Sequence, residues 1–321
     1  MVFRVVLPGL AIFLALTTLF RATYLRRKKH ATRPYGQLVK VNDGTMHVYS
    51  MGEGEKTIVL LAGLGVPLPS ASFSPLMRTL SQKHTVICVE YFGVGFSSQT
   101  SIPRTNENYV QEIRAALDQA GYSPPYVLMP HSISSVYSEH YAALYPHEVE
   151  AIICLDGTST AMYDPVPNIL KHLLKIVFVV QALGLIPLIG YVTTNQKKLR
   201  ASGFTPEECN DAIVFSGFSM NKTVIEQMVQ SSEHVKQVMD LPFPASVPYL
   251  KIISQDTWQA SSKQLKMPPQ DYQHKHLARI GPHAKHEILA GDHFFYTKKA
   301  EAIADLTESF LKMPPGNGKY F

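Results

Sequence analysis

The chain has 321 residues, enough for one large domain with an insertion or for two small domains. Residues 1–33 hold seven Lys or Arg and no acid, which leaves 23 of the 30 bases and all 25 acids to the other 288 residues. Because the basic excess belongs to this N-terminal stem, a nucleic-acid-binding function has little support. Three cysteines are too few for a disulfide scaffold.

The N-terminal segment predicts an uncleaved membrane anchor. Val5–Phe20 is sixteen residues without a charge, and the basic run RRKKH comes shortly after it. A secretory signal peptide would carry its basic cluster before the apolar run and a small-residue cleavage site after it. Because about 20 residues are needed to cross the hydrocarbon core, we expect the helix to continue to Leu25 with Arg21 reaching the interface. The positive-inside rule then predicts a cell-membrane protein whose residues after the anchor lie on the cytoplasmic side.

From residue 34 to residue 159, predicted strands and helices alternate. A β-hairpin around the turn NDGT comes first, followed by the apolar runs TIVLLAGLG, TVICVEYFGVGFSS, YVLMP and VEAIICLDGTS. The segments FSPLMRTLSQK and NENYVQEIRAALDQAG are predicted helices among them. Because these strands are apolar throughout, we predict an α/β fold with a mostly parallel sheet covered by helices on both faces.

The alternation breaks at about Ser159, and residues 160–243 predict helices with no clear strand. The strand rhythm returns with VPYLKIISQDTW and HEILAGDHF, and the amphipathic segment TKKAEAIADLTESFLKM predicts a closing helix. We therefore divide the chain into four parts: an anchor and basic stem (1–33), a first core segment (34–159), a helical cap (160–243) and a second core segment (244–321).

The run Ile176–Val192 inside the cap is apolar, but Gln181 and Gly184 are among the residues that interrupt it. We interpret it as a lid helix that lines an apolar cavity. A second membrane contact is the alternative.

The segment Tyr126–Pro146 has the layout of a catalytic turn. A strand ends at Pro130, a serine follows at Ser132, and the next residues predict a helix. In a nucleophile turn of this kind, glycines usually stand two residues before and two after the serine, where this chain has Pro130 and Ser134. Proline is tolerable at the last strand position, and serine adds little bulk to glycine, so we expect the strained turn to survive.

Four blocks, in this order along the chain, resemble the α/β-hydrolase superfamily in its capped single-domain branch. They are LLAGLG (60–65), EYFGVGFSS (90–98), MPHSIS (129–134), and the pair formed by Asp256 after LKIIS and His293 in AGDHF. The resemblance extends over about residues 37–313 and is weakest across 160–243. The order Ser, Asp, His, each just past a predicted strand, distinguishes this fold from other serine hydrolases.

The chain departs from the family pattern at Ala62 and Glu90. Ala62 stands where the family usually has a loop-bracing histidine, which puts the rigidity of that loop in doubt. Glu90 replaces the usual aspartate and keeps its charge.

The resemblance implies a catalytic triad of Ser132, His293 and Asp256. A serine hydroxyl needs a base to take its proton, and a carboxylate on the far ring nitrogen of the histidine fixes the tautomer. Asp156, at the end of the strand IICLD, is the alternative acid, whereas Asp292 adjoins His293 and would point away from it.

The backbone N–H groups of Leu64 and Ile133 are the expected oxyanion-hole donors. Other serines and histidines near these blocks have ordinary explanations. Ser134 and Ser135 lie on the predicted helix, and surface positions are expected for three further histidines: His276, His283 and His286.

We expect a serine esterase or lipase-like hydrolase that cleaves a small apolar ester or a lipid through an acyl-enzyme. Serine at the turn argues against the haloalkane and epoxide branches of the superfamily, which use aspartate there. No metal or organic cofactor is expected, and the oligomeric state stays open.

Two alternatives remain. One is an aminopeptidase or thioesterase of the same fold, and the other is a non-catalytic domain that binds a small apolar ligand. A peptidase would need acidic cap residues to hold a substrate amino group, and the candidates are Glu207, Glu208, Asp211 and Glu226.

Overall fold

The computed structural model describes residues 2–163, 167–260 and 267–313. The strands are β1 (Gln37–Val41), β2 (Gly44–Met51), β3 (Thr57–Leu61), β4 (Thr85–Glu90), β5 (Tyr126–Pro130), β6 (Val149–Leu155), β7 (Tyr249–Ser254) and β8 (Ala284–Leu289). The helices are α1 (Val2–Phe20), α2 (Arg26–Ala31), α3 (Pro69–Ser72), α4 (Ser74–Leu80), α5 (Asn106–Gln119), α6 (Ser134–Leu144), α7 (Asn168–Ala182), α8 (Leu185–Thr193), α9 (Gln196–Ala201), α10 (Pro206–Ser216), α11 (Lys222–Met239), α12 (Gln255–Gln259), α13 (Pro269–Ile280) and α14 (Ala300–Leu311).

The eight strands form one sheet in the order β1-β2-β4-β3-β5-β6-β7-β8. The predicted hairpin β1–β2 is antiparallel and joins β4 in antiparallel register, and all other neighbours are parallel. The carboxyl ends of β3, β5, β6, β7 and β8 therefore meet at one edge of the sheet. The predicted α/β fold is confirmed, and this edge is where ligands bind in such sheets.

An apolar layer covers each face of the sheet. One layer contains the inner face of α5, where Val110, Ile113, Ala116 and Leu117 are fully buried as the sequence pattern predicted. The other layer is formed in part by α4 and α14 packed against the opposite face. The strands are buried on both sides, which explains why they are apolar throughout rather than alternating.

A long helical rod forms the N-terminus. It consists of α1, a π-helical turn at Arg21–Leu25 and α2. Within the described residues, one helical stretch, Val6–Ala31, is long and apolar enough to cross a membrane, and its apolar window is only 6% buried. Most of α1 therefore presents apolar side chains outward.

Helices α7–α11 lie between β6 and β7 in the chain, where the sequence predicted a helical cap. The cap is tied to the core by direct hydrogen bonds. Asn221 Nδ2 donates to the carbonyl oxygen of Gly93 (2.6 Å), and the Arg78 guanidinium binds both carboxylate oxygens of Glu208 (2.7 and 3.0 Å).

Candidate active site

The turn between β5 and α6 carries Ser132 at its tip in a strained backbone conformation. Ser132 has φ +55°, in the left-handed region that non-glycine residues rarely adopt. Its N–H donates to the Leu155 carbonyl (3.2 Å), and its carbonyl accepts from the N–H groups of Ser135 and Thr158, both at 3.1 Å. Strain of this kind costs about 1–3 kcal/mol and persists only where neighbouring structure enforces it. The backbone bonds on both sides of Ser132 enforce it here.

Pro130 and Ser134, the two unusual positions, both fit the turn. Pro130 is the last residue of β5, and its missing N–H does little harm because the next residue, His131, donates its own N–H to the Leu61 carbonyl (2.8 Å). The buried Ser134 hydroxyl donates to the carbonyl of Ala62 (2.5 Å) and lies 2.9 Å from the Tyr91 hydroxyl. Ser134 therefore braces, from the other side, the loop that lacks the family's histidine at position 62.

The loop after β3 approaches the turn so closely that only glycine fits at position 63. A Cβ on Gly63 would lie 2.6 Å from Cβ of Ser132 and 2.9 Å from Nδ1 of His131. Within the described residues, the N–H groups of Leu64 and Ile133 donate no hydrogen bond to the protein. Both N–H groups are thus available to a ligand oxygen.

Glu90 retains a bracing position at the end of β4. Its buried carboxylate accepts from the N–H and the hydroxyl of Ser70 (3.0 and 2.7 Å) and from the N–H of Phe96 (2.8 Å). A Cβ on Gly95 would lie 2.0 Å from that carboxylate, which explains the glycine in this block.

The structure pairs His293 with Asp156. His293 Nδ1 lies 2.7 Å from Asp156 Oδ2, with the carboxylate fully buried and the imidazole 41% exposed. This histidine follows β8, and Asp156 follows β6, so two parallel strand ends bring them together. A carboxylate on Nδ1 leaves Nε2 as the ring nitrogen able to take a proton from a ligand or a hydroxyl.

The buried Asp156 carboxylate is held by a network of donors. Ser254 donates to it through its N–H and its hydroxyl (both 2.9 Å), and the Thr257 hydroxyl donates at 2.7 Å. Burial opposes ionisation, but the hydrogen bonds from His293, Ser254 and Thr257 together hold the pKa of Asp156 below its usual value. The group is therefore a carboxylate at neutral pH.

The expected pairing of Asp256 with His293 is wrong. Asp256 lies in the first turn of α12 with its side chain exposed, and its N–H donates to the Gly291 carbonyl (3.2 Å). The two aspartates follow neighbouring strands, β6 and β7. Their positions along the chain could therefore not decide which carboxylate reaches His293. Residues of the β7 end, Ser254 and Thr257, serve instead as donors to Asp156.

His131 is a residue that the sequence reasoning missed. Its ring centroid lies 4.6 Å from that of His293, and its Nε2 is 2.9 Å from the His293 carbonyl oxygen. Burial, with a smaller contribution from the His293 ring, lowers the pKa of His131 to about 3, so the ring is neutral. The sequence signal that could have identified His131 was its position directly before Ser132. Within the described residues no hydrogen bond joins Ser132 Oγ to His293. His131, which precedes Ser132 in the chain, packs its ring against that of His293.

The remaining rival side chains have structural partners. The Ser135 hydroxyl donates to the Ser132 carbonyl (2.9 Å), and Asp292 pairs with Lys298 (2.7 Å) rather than with His293. The expectation that His276 lies at the surface is wrong, because it is fully buried with Nε2 2.9 Å from Glu139.

His283 and His286 are half-buried. Within the described ranges, no group of three or more His, Cys, Asp or Glu is placed to hold a metal ion.

Three of the four acidic cap residues considered for a peptidase are bonded to the protein. Glu208 binds Arg78 and caps α10, Asp211 accepts from the Tyr35 hydroxyl (2.9 Å), and Glu226 accepts from the Arg104 N–H (3.2 Å). Glu207 is exposed.

An apolar cavity of about 290 Å³ lies between the cap and the segment that follows the Gly63–Gly65 loop. Its walls come from α8, the α9–α10 region and α3, with Thr297 from the segment after His293. The apolar wall residues include Pro67, Leu68, Ala71, Leu199, Phe204 and Ile213.

Comparison with known proteins agrees with this architecture. The family model for the alpha/beta hydrolase fold matches residues 56–191. The chain is 27% identical over 319 residues to uncharacterized protein YbdG of Bacillus subtilis (strain 168), covering 97% of each chain. The Cif epoxide hydrolase from Acinetobacter nosocomialis superposes with a TM-score of 0.66 at 14% identity, over 93% of this chain and 96% of its own. A thermophilic esterase from Thermogutta terrifontis superposes with a TM-score of 0.63 at 17% identity, over 86% and 98%.

The chain has the α/β-hydrolase fold, and residues 56–191 match the family model for that fold. Its structural neighbours include both an epoxide hydrolase and an esterase, at identities that establish the fold alone. The reaction must therefore be inferred from the side chains at the carboxyl edge of the sheet.

Proposed function

We propose that this protein is a serine hydrolase that cleaves apolar acyl esters through an acyl-enzyme on Ser132. The observation that carries the proposal is the buried Asp156 carboxylate on Nδ1 of His293, at the sheet edge where the strained Ser132 turn lies. The pair supplies a base with a fixed tautomer, and the turn supplies the hydroxyl.

In the proposed reaction, His293 Nε2 takes the Ser132 hydroxyl proton as Oγ attacks the ester carbonyl carbon. The negative charge that develops on the carbonyl oxygen is stabilised by the free N–H groups of Leu64 and Ile133. The C–O bond to the alcohol then breaks, and the alcohol leaves with the proton from His293. Ground-state hydrogen bonds between nucleophile and base often tighten only when substrate binds, which is consistent with a Ser132 hydroxyl that has no hydrogen-bond partner among the described residues.

Water completes the cycle. His293 takes a proton from a water molecule, whose oxygen attacks the acyl carbonyl, and the bond to Ser132 Oγ breaks as the serine regains a proton. Asp156 stays ionised throughout and stabilises the imidazolium in both halves of the reaction.

The apolar cavity under the cap is lined from Pro67 onward and not by Ser132 or His293, and it supports an apolar acyl or alcohol group that extends away from the nucleophile. The bonded state of Glu208, Asp211 and Glu226 disfavours the aminopeptidase alternative, because these carboxylates already have partners. A thioester would be cleaved by the same chemistry, so the substrate panel must include one.

We further propose that α1 anchors the protein in the cell membrane with the hydrolase domain on the cytoplasmic side. The apolar window of Val6–Ala31 and the basic residues that follow the apolar run support this placement.

A fluorophosphonate probe tests the proposed nucleophile, because it reacts covalently with activated serines. We expect labelling of the wild-type chain and none of Ser132→Ala, with matching circular dichroism spectra for both proteins. Ser309→Ala, at an exposed serine on α14, is the matched control and should retain labelling. Absence of labelling in folded wild-type protein would contradict the proposal and favour the ligand-binding alternative.

Hydrolysis of p-nitrophenyl esters of increasing chain length, an acyl thioester and an aminoacyl p-nitroanilide then separates the enzyme classes. We expect the esters to be cleaved fastest. Faster cleavage of the anilide would overturn the ester assignment without affecting Ser132 as nucleophile.

A further inference from the structure

The cap carries an exposed apolar face on α7 and α8. Gln181 and Leu174 fix α7 to the rest of the cap: the Gln181 side chain bonds both the N–H and the carbonyl of Met220 (2.7 and 2.9 Å), and Leu174 is buried. Much of the rest of the helix pair faces outward, since four consecutive residues of α7, Ile176–Val179, are all exposed. Its exposed large apolar residues are Ile169, Leu173, Ile176, Val177, Phe178, Val179, Ile189, Tyr191 and Val192. Apolar patches of this kind mark an interaction surface.

This face adjoins the N-terminal rod. Gly184, at the 80° bend between α7 and α8, lies so close to α1 that a Cβ there would be 2.3 Å from the Thr17 carbonyl oxygen. Arg21 Nε donates to the Gly217 carbonyl (2.8 Å), and its guanidinium lies 4.8 Å from the centre of the Phe218 ring. Leu25 is fully buried against the cap. The rod and the cap therefore form one packed unit.

The packing fixes the depth of the face relative to α1. Thr17 precedes Arg21 by four residues, which is about 6 Å along a helix on the apolar side of that charge. With Arg21 at the interface, the α7–α8 bend lies just inside the hydrocarbon boundary. Interfacial helices bury their apolar faces about 5–10 Å into this boundary.

The charge pattern fits the headgroup region of a bilayer. Residues 165–206 contain no Asp or Glu and five bases: Lys171, Lys175, Lys197, Lys198 and Arg200. Residues 1–33 likewise contain seven bases and no acid. Two stretches that pack together thus combine apolar surface with positive charge and no acid, which is complementary to anionic lipid headgroups.

We propose that the outer face of α7 and α8 is a second membrane contact, seated in the same leaflet as the Arg21 end of the rod. The occupant of this face is the bilayer and not a second protein chain. The cavity wall includes Gly190 and Thr194 from the α8 end of the cap. An apolar ester could therefore enter sideways from the bilayer, a consequence that rests on the proposed hydrolase function, whereas the membrane contact does not.

Quenching by brominated lipids tests the contact on the full chain. Ile176→Cys, Val179→Cys and Val192→Cys would each carry an environment-insensitive fluorophore in phosphatidylcholine–phosphatidylglycerol vesicles containing acyl-brominated lipid. Leu10→Cys on α1 reports the anchor. Gln119→Cys, at the end of α5 on the opposite edge of the sheet, is the exposed control. The three native cysteines are buried, so background labelling of the folded wild type should be low.

We expect at least twofold quenching at the three cap positions and at Leu10, and none at Gln119. Quenching at Leu10 without quenching at the cap positions would overturn the cap contact and leave the anchor standing. Absence of quenching at both sites would overturn both.

Lateral entry is tested by activity. Ile176→Glu/Val179→Glu should cleave a water-soluble p-nitrophenyl ester at the wild-type rate and a long-chain ester dissolved in vesicles about tenfold more slowly. Leu38→Glu, at an exposed apolar position on β1, is the matched control and should show no loss in either assay. Equal rates for all three proteins on the vesicle substrate would overturn lateral entry.

Discussion

The carboxyl ends of β6 and β7 are neighbours in the sheet and each is followed by an aspartate, yet the two ends are built for different tasks. The β6 end directs a buried carboxylate at His293. The β7 end continues directly into α12, where Asp256 is exposed to solvent. The hydroxyls of Ser254 and Thr257 donate hydrogen bonds to Asp156. One strand end carries the acid, and the other holds it in place.

Two neighbouring strand ends can therefore carry the same residue in sequence while only one of them directs its carboxylate at His293. An acid in the first turn of a helix is stabilised by the helix dipole, so Asp256 has a structural reason to be there. The hydroxyls of Ser254 and Thr257, which carry no charge, are the more informative residues of this segment.

The largest expected effect comes from replacing Asp156 by its amide, with the same change at Asp256 as the comparison. Asp156→Asn should lower kcat on the best ester by about 10³–10⁴-fold, because the amide presents the wrong partner to His293 Nδ1. Asp256→Asn should stay within about twofold of wild type, since a surface amide retains the local structure. Steady-state kinetics measure both. A reversed order of the two effects would return the acid role to the β7 end.

Acid sensitivity gives the next effect and concerns two buried histidines, His276 on α13 beside β7 and His234 on α11. His276 lies 2.7 Å from the Lys251 side chain of β7, and burial, then Lys251, lower its pKa to about 4. Burial likewise lowers the pKa of His234 to about 4. Unfolded histidine titrates near 6.5, so between pH 6.5 and 4 the unfolded chain binds more protons and the free energy of unfolding falls as the pH drops.

Integrated over that window, each histidine removes about 3 kcal/mol from the free energy of unfolding. Urea unfolding of the full chain in detergent at pH 7 and pH 5 measures the trend. His234→Gln should lower stability at pH 7 and reduce the difference between the two pH values. An identical midpoint at both pH values in the wild type would contradict the prediction.

Ser254→Ala sharpens the comparison by weakening the support without touching the acid. It removes the hydroxyl bond to Asp156 and also the bond from the Thr257 N–H that caps α12. We expect kcat to fall about tenfold with KM little changed, and the free energy of unfolding to fall by about 1 kcal/mol. Ser254→Thr should recover most of kcat. A loss of stability without any loss in kcat would show that Ser254 acts only as the cap of α12.

The smallest effect is expected for Asp256→Ala. Losing an exposed acid from the first turn of α12 should cost about 0.5 kcal/mol of stability through the helix dipole, with kcat unchanged. Thermal unfolding at low and high salt measures it, and the difference from wild type should shrink at high salt. A salt-independent loss would point to a packing role instead.

Much of the fold was predictable from local pattern. Apolar strand runs, the buried face of α5 and the position of Pro130 at the end of β5 are all consistent with the structure. These features depend on side-chain period and backbone chemistry within a few residues, which a single sequence displays directly.

Other features depend on residues far apart in the chain. The brace from Ser134 to Ala62, the burial of His276 against Glu139 and the outward direction of Ile176 and Val179 all require the packed structure. No local pattern reports which side of an apolar helix has a neighbour.

The sequence by itself determined the alternation of strands and helices, the turn that presents Ser132 and the strand-end position of His293, because these are set by periodicity, glycine, proline and chain order. Only the tertiary structure decided that Asp156 rather than Asp256 reaches His293. The parallel strands bring their carboxyl ends to one edge, and the direction of the Asp156 carboxylate there is set by its left-handed backbone (φ +46°) and by hydrogen bonds from Ser254 and Thr257.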